Sequence, residues 1–219
     1  MRFLRDQGLA ITMFGIFAVT MVGLMVTGWS NYNEEQVEHG QTVVGLTEYL
    51  GTPNFGEAVF ENWESEFLQM GAYVLLTAFL FSRGSSESKD PDSESPQDAD
   101  PRRADKRKNV PWPVRAGGLT LLLYENSLTI AMFALFFASF ALHAATGASE
   151  YSQELLTHGG QAVSVLGYLG TSRFWFESFQ NWQSEFLAVG TLVVLSIFLR
   201  QRGSPESKPV AASHAETGK

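Results

Sequence analysis

The chain contains one unit twice, and the two copies align without a gap. Asn62-Trp63-Glu64-Ser65-Glu66-Phe67-Leu68 returns as Asn181-Trp182-Gln183-Ser184-Glu185-Phe186-Leu187, an offset of 119 residues. The same offset relates three pairs of residues in the preceding segments: Tyr32 and Tyr151, Glu35 and Glu154, His39 and His158. Self-similarity at a fixed spacing is typical of a duplicated structural unit, here about 80 residues long. The fold must therefore accommodate two equivalent halves.

Apolar residues are concentrated in four blocks. Residues 9–29 form a run of 21 without a charge, and residues 127–148 form a run of 22 in which only His143 can titrate. Either run is long enough for a helix that crosses the roughly 30 Å hydrocarbon core of a bilayer. Residues 67–81 give only 15 apolar positions, or about 22 Å of helix. This helix must draw in the preceding turns in order to span.

These blocks predict an all-α fold, a four-transmembrane-helix bundle built from two tandem parallel hairpin repeats with short amphipathic helices on the outer face. The spanning helices are expected at about residues 8–30, 62–82, 118–147 and 181–200. Asn33 is a suitable N-cap and Gly40 a suitable stop for a short surface helix in the first copy. An equivalent surface helix is expected near residues 151–158 of the second copy.

Polar segments divide the chain into four parts. The two hairpins are expected at residues 1–82 and 118–202, joined by a flexible cytoplasmic linker at 83–117 and followed by a disordered tail at 203–219. The linker is rich in Ser, Asp, Pro, Arg and Lys, and cannot bury enough apolar surface to offset its chain entropy. The sequence has no cysteine, which excludes disulfides and thiolate chemistry.

Basic residues predict the orientation. Of the 15 Lys and Arg residues, 14 lie at the N-terminal end, in the linker or in the tail, and only Arg173 lies in a hairpin loop. Loops rich in Lys and Arg stay in the cytoplasm. We therefore expect a multi-pass inner (plasma) membrane protein with both termini cytoplasmic and both hairpin loops outside.

Three motifs occur once in each copy: Tyr-x-x-Glu-x-x-x-His-Gly, a Tyr-Leu-Gly turn and Asn-Trp-x-Ser-Glu-Phe-Leu. With these motifs the chain resembles a family of bacterial integral membrane proteins that is described only as a domain of unknown function. The resemblance covers essentially residues 1–208, including an Arg-Gly-Ser-x-Glu-Ser-Lys motif at the end of each copy. It implies a bacterial inner-membrane protein and says nothing about a substrate.

Two polar trios form the first candidate site. They are Asn62, Ser65 and Glu66, and their equivalents Asn181, Ser184 and Glu185, each on one helical face. Trp63 with Phe67, and Trp182 with Phe186, form neighbouring aromatic faces, and the indoles suit the membrane interface. One hypothesis is that Glu66 and Glu185 meet across a pseudo-twofold axis and bind a cation or share a proton. The alternative is that both trios tie their helices to neighbouring elements by hydrogen bonds.

Two carboxylate–imidazole pairs form the second candidate site, Glu35 with His39 and Glu154 with His158. Each pair is spaced i, i+4, and two such pairs together offer ligands that suit Zn or Fe-type ions. Alternatively, because each histidine is followed by Gly, it ends its helix and bonds the free carbonyl groups there.

His143 lies within the third apolar block, where the first copy has Leu24. It is a candidate for a haem or quinone contact, or for a hydrogen bond to a neighbouring helix. The same block carries a stripe of small residues that lets another helix come close: Ala134, Ala138, Ala141 and Ala145.

The sequence contains no phosphate-binding loop, nucleophile elbow or zinc-protease motif, so no catalytic residue, enzyme activity or cofactor is expected. The basic run at residues 102–108 has acidic neighbours, which disfavours nucleic acid as a partner and leaves membrane lipid. We expect a non-catalytic scaffold or accessory subunit that binds another membrane protein, itself as a homo-oligomer, or lipid. The alternatives are a proton or small-cation channel or transporter using Glu66 and Glu185, and a haem, metal or quinone protein using His39, His158 or His143.

Overall fold

The regular structure of the chain is helical. The computed structural model describes residues 2–104 and 109–218, and no strand occurs in these ranges. Three of the helices described are long and apolar enough to cross a membrane: Gly8–Glu38, Ser127–Thr157 and Ser172–Phe198. The chain is therefore an all-α protein with helices suited to a membrane.

The first long helix does not stop at the predicted membrane boundary. Helix α1 covers Arg2–Asp6, and α2 runs without a break over Gly8–Glu38. The predicted surface helix after Asn33 is therefore the C-terminal end of α2. Asn33 does not cap it, because its side-chain amide bonds both the N–H and the C=O of Val44. Helix-supporting i, i+4 bonds such as Asn31 to Glu35 continue through the polar segment.

The second long helix begins earlier and ends earlier than predicted. After the short α3 at Leu46–Tyr49, α4 covers Pro53–Thr77, in place of residues 62–82. Its start follows from local chemistry, since the Thr52 hydroxyl accepts the N–H of Phe55 at 3.2 Å and a proline suits the first helical position.

The second half follows the same order. The linker ends in α5 at Trp112–Ala116, and α6 at Gly118–Glu125 is separated by Asn126 from α7 at Ser127–Thr157. The predicted surface helix near 151–158 is again the C-terminal end of a long helix. Helix α8 covers Val165–Leu169, and α9 covers Ser172–Phe198, beginning before the predicted residue 181.

Corresponding residues of the two copies make the same local bonds. The Asn33 side chain bonds both the N–H and the C=O of Val44. At the equivalent position, the Ser152 hydroxyl accepts the N–H of Val163 at 3.0 Å and donates to its C=O at 3.2 Å. The rings of Tyr32 and Tyr49 are 5.5 Å apart, and those of their equivalents Tyr151 and Tyr168 are 5.8 Å apart. The duplicated sequence therefore forms duplicated local structure at these positions.

The chain divides into two compact units. The first comprises Met1–Phe60 with Leu142–Gly170, and the second comprises Glu61–Ala141 with Thr171–Lys219. The first unit buries the two tyrosines Tyr49 and Tyr168. The second unit buries Phe136 and Phe174 among the aromatic residues.

In the tail, residues 203–218 form a series of turns and bends. Lys208 is buried, and its ammonium donates to the carbonyl oxygens of Ser213, His214 and Glu216 at 3.1, 3.1 and 2.8 Å. These acceptors hold the tail in a folded loop. The predicted lipid-contacting basic run at 102–108 lies partly outside the residues that the structure describes.

Candidate functional site

One face of α4 carries a row of buried polar side chains. Its members are Glu57, Glu64, Ser65 and Gln69, with Glu61 half-buried between them. Their spacings of i, i+4, i+7, i+8 and i+12 place them on one helical face, over about 18 Å of helix. A buried carboxylate is costly unless it has a partner. Each of the three glutamates has one.

Glu57 is the carboxylate of the first unit. The Tyr168 hydroxyl of α8 donates to its Oε1 at 3.2 Å, and both residues are buried. Gly147 of α7 makes this approach feasible, since a Cβ there would lie 2.7 Å from the Tyr168 hydroxyl and 2.9 Å from Glu57 Oε1. A residue larger than glycine therefore displaces one of the two groups.

Two further pairs of polar side chains lie between α4 and α7 in the first unit. The Asn54 amide donates to Glu150 at 3.2 Å. One turn further along α4, ligand-type atoms of Glu57 and His143 lie within 4.8 Å of each other, and His143 is 0% exposed. A carboxylate, an imidazole and a phenol therefore meet in one buried cluster, which we call the Glu57 cluster: Glu57, His143 and Tyr168.

Glu64 and Glu61 are the carboxylates of the second unit, and α9 supplies their donors. The Trp182 indole donates to Glu64 Oε1 at 3.0 Å, and Glu64 is 0% exposed. The Asn181 amide bonds Glu61. The Trp182 ring also packs edge-on against Phe136 at 6.3 Å, so the bond to Glu64 is surrounded by apolar surface on that side.

The predicted polar trios are only partly buried. Ser65 is buried, but Asn62, Glu66 and Ser184 are exposed, while Asn181 and Glu185 are half-buried. Both serines donate to the backbone carbonyl three residues earlier, at 2.8 Å. Glu66 and Glu185 lie near enough for their charges to interact. Of the predicted aromatic residues, Trp63, Phe67 and Trp182 are half-buried and Phe186 is exposed.

The predicted metal pairs lie where α2 and α7 end. His39 and His158 are exposed, and their Nδ1 atoms bond the backbone carbonyls of Glu35 and Glu154 at 2.8 and 2.9 Å. Each imidazole thus contacts a carbonyl of its own last helical turn. This contact fits a helix-ending histidine and equally a metal-binding one, whose other ring nitrogen commonly bonds a backbone carbonyl.

Sequence reasoning missed Glu57, Glu61 and Glu64 as site residues. A signal was nevertheless present. Glu57 and His143 have apolar equivalents in the other copy, Phe176 and Leu24. Positions that carry an apolar residue in one copy and a titratable residue in the other therefore point to the Glu57 cluster.

Tyr49 of α3 is a buried phenol of the first unit, and its pKa is shifted. Burial, with the charges of Glu150 and Glu35, raises the pKa of its phenol above the usual 10.0. Tyr49 therefore stays neutral at physiological pH.

A comparison with models of protein families extends the resemblance found in the motifs to residues 1–219. Neither a search of curated proteins nor one of solved structures gave a match. A family model matches residues 1–219. The chain belongs to the family described as Domain of unknown function (DUF6766).

Proposed function

We propose that the protein spans a bacterial inner membrane four times, as two tandem hairpins with both termini in the cytoplasm. The proposed fourth span is α4, whose 25 residues give about 37 Å of helix, enough to cross the hydrocarbon core. Its carboxylates lower its hydropathy, but donors such as Tyr168 and Trp182 offset the cost of placing them there. The distribution of Lys and Arg supports the orientation.

The proposed role is that of a non-catalytic scaffold or accessory subunit. One observation carries it: every residue from 9 to 20 of α2 is exposed, on all sides of the helix. A helix of a multi-span protein normally packs one face against its neighbours. These 12 of the 31 residues of α2 instead offer the full circumference of the helix to another helix or to lipid.

Small residues favour a protein partner over lipid alone. Gly15 and Gly23 have no atom within 4 Å of where a Cβ would stand. The predicted alanine stripe of α7 is exposed as well, at Ala134, Ala138, Ala141 and Ala145. Such residues let a second helix approach its backbone closely.

Site-directed crosslinking tests this role, because the natural chain has no cysteine. Gly15→Cys in native membranes, treated with a thiol-reactive photocrosslinker, should give a discrete product whose mass identifies a partner or a second copy. Ala144→Cys is the matched control, since Ala144 is 2% exposed and should give none. If Gly15→Cys yields only lipid adducts, the protein-scaffold role is wrong.

The buried row on α4 favours a second candidate role, a channel or transporter for protons or a small cation. Carboxylates inside a membrane protein often mark such pathways. Within the row Glu57 and Glu64 are buried and Glu61 is half-buried, whereas in the predicted pair Glu66 is exposed and Glu185 is half-buried.

Proteoliposomes that contain a pH-sensitive dye test the second role. The triple variant Glu57→Gln, Glu61→Gln, Glu64→Gln should abolish proton flux if the row conducts, and Glu66→Gln with Glu185→Gln should abolish it if the predicted pair does. The absence of flux through the wild-type protein, with either protons or alkali cations, would contradict this candidate.

A further inference from the structure

The Glu57 cluster is asymmetric within a duplicated chain. A side chain that only joins a helix of one copy to a helix of the other should be useful at both equivalent positions. Glu57 and His143 occur once, and Phe176 and Leu24 stand at their equivalent positions. Tyr168, by contrast, has the equivalent Tyr49. Glu57 and His143 are therefore specific to one place in the chain, whereas Tyr168 belongs to the structure that both copies share.

The distance between these two groups suits a single ion. Their nearest ligand-type atoms lie within 4.8 Å of each other. Ligands at 2.0–2.2 Å from a tetrahedral Zn²⁺ ion are about 3.4 Å apart. A side-chain adjustment of at most roughly 1.5 Å therefore brings both atoms into a common coordination sphere. Both residues are buried, so their positions are held by packing.

We propose that Glu57 and His143 bind a divalent transition-metal ion of the Zn²⁺ type, with water completing the coordination. Imidazole nitrogen with carboxylate oxygen is a donor set suited to such ions. The Tyr168 hydroxyl, at 3.2 Å from Glu57 Oε1, orients the carboxylate as an outer hydrogen-bond donor. This inference rests on neither proposed role, because a scaffold and a transporter can both carry a structural ion.

The two exposed histidines provide a matched control. The Nδ1 atoms of His39 and His158 already bond carbonyls of their own helices. If the protein binds metal at the Glu57 cluster, changing these two residues leaves the affinity unaltered.

Zn²⁺ binding to the purified full-length protein, stripped with a chelator and titrated against a competing indicator, tests the proposal. The wild type should bind one Zn²⁺ per chain. Glu57→Gln and His143→Leu should each weaken binding by at least about tenfold. The double variant His39→Gln, His158→Gln should bind as the wild type does.

A wild-type measurement keeps the test independent of whether the variants fold. The chain has four histidines, so NMR of protein with ¹⁵N-labelled histidine should show one solvent-protected ring shifting on Zn²⁺ addition. The proposal is overturned if the wild type binds no stoichiometric Zn²⁺, if the shifting ring is solvent-exposed, or if only the His39 and His158 double variant loses binding.

Discussion

The indole of Trp182 donates a 3.0 Å hydrogen bond to Glu64, a carboxylate that is completely removed from solvent. The two residues come from different copies of the same seven-residue motif, in which position 64 is Glu and its equivalent, position 183, is Gln. The motif therefore supplies the acceptor from one copy and the donor from the other.

Trp182→Phe should lower the free energy of unfolding by about 1–3 kcal/mol, because it removes a donor from a buried charged acceptor. Thermal unfolding in mild detergent measures the change. Trp112→Phe is the control, since that indole is 64% exposed and its replacement should have little effect. Equal stability of the Trp182→Phe variant and the wild type would show that the bond contributes nothing.

Gly147→Ala should destabilise the protein by about 1–3 kcal/mol, because the added methyl group overpacks a filled site. The new Cβ would lie 2.6 Å from Tyr168 Cε1. Gly23→Ala on α2 has open space around it and should be neutral or slightly stabilising, by up to about 1 kcal/mol. The same loss of stability in both variants would point to backbone effects and contradict a steric role for Gly147.

Part of the fold followed from the sequence because hydrophobic length is a strong signal. The apolar runs at 9–29 and 127–148 lie within α2 and α7, as predicted. The helix ends did not follow, because polar residues such as Asn31 and Glu35 support a helix beyond the apolar run. The start of α4 at Pro53 depended on a Thr-Pro cap within a polar segment that shows no hydrophobic periodicity.

The buried site was harder to predict than the fold. The sequence did not single out Glu64, and only the tertiary partner Trp182 shows why it is buried. His39 is ambiguous in the sequence because i, i+4 spacing serves metal binding and helix ending equally well. Its Nδ1 bond to the carbonyl of Glu35 fits both, because a metal-binding histidine commonly bonds a carbonyl through its other ring nitrogen.

The raised pKa of Tyr49 predicts a pH dependence of stability. Because the folded state holds the phenolic proton more tightly than the unfolded chain, Tyr49 stabilises the fold below its usual pKa of 10.0. This contribution is lost as the pH rises through the higher folded-state pKa. Tyr49→Phe should therefore flatten the decline of melting temperature above pH 10. Tyr124→Phe, at a 45% exposed position, is the control and should leave this decline of melting temperature unchanged. An unchanged decline in the Tyr49→Phe variant would contradict the prediction.

Lys208→Met should release the tail, because three backbone carbonyls lose the ammonium that joins them. Hydrogen–deuterium exchange of residues 203–218 should become faster by at least about fivefold, the effect of losing roughly 1 kcal/mol. Arg115→Met, at an exposed position on α5, is the control. Unchanged exchange in the Lys208→Met variant would contradict the role assigned to this lysine.

The central claim is that α4 crosses the membrane despite its carboxylates, and cysteine accessibility tests it most directly. Single cysteines at the exposed positions Thr42, Ser93, Gln161 and Ala211 are treated in intact spheroplasts with a membrane-impermeant maleimide. The four-span account predicts labelling at 42 and 161 from outside, and at 93 and 211 only after permeabilisation. Labelling of position 93 from outside, together with 42, would show that α4 does not cross and would contradict the account.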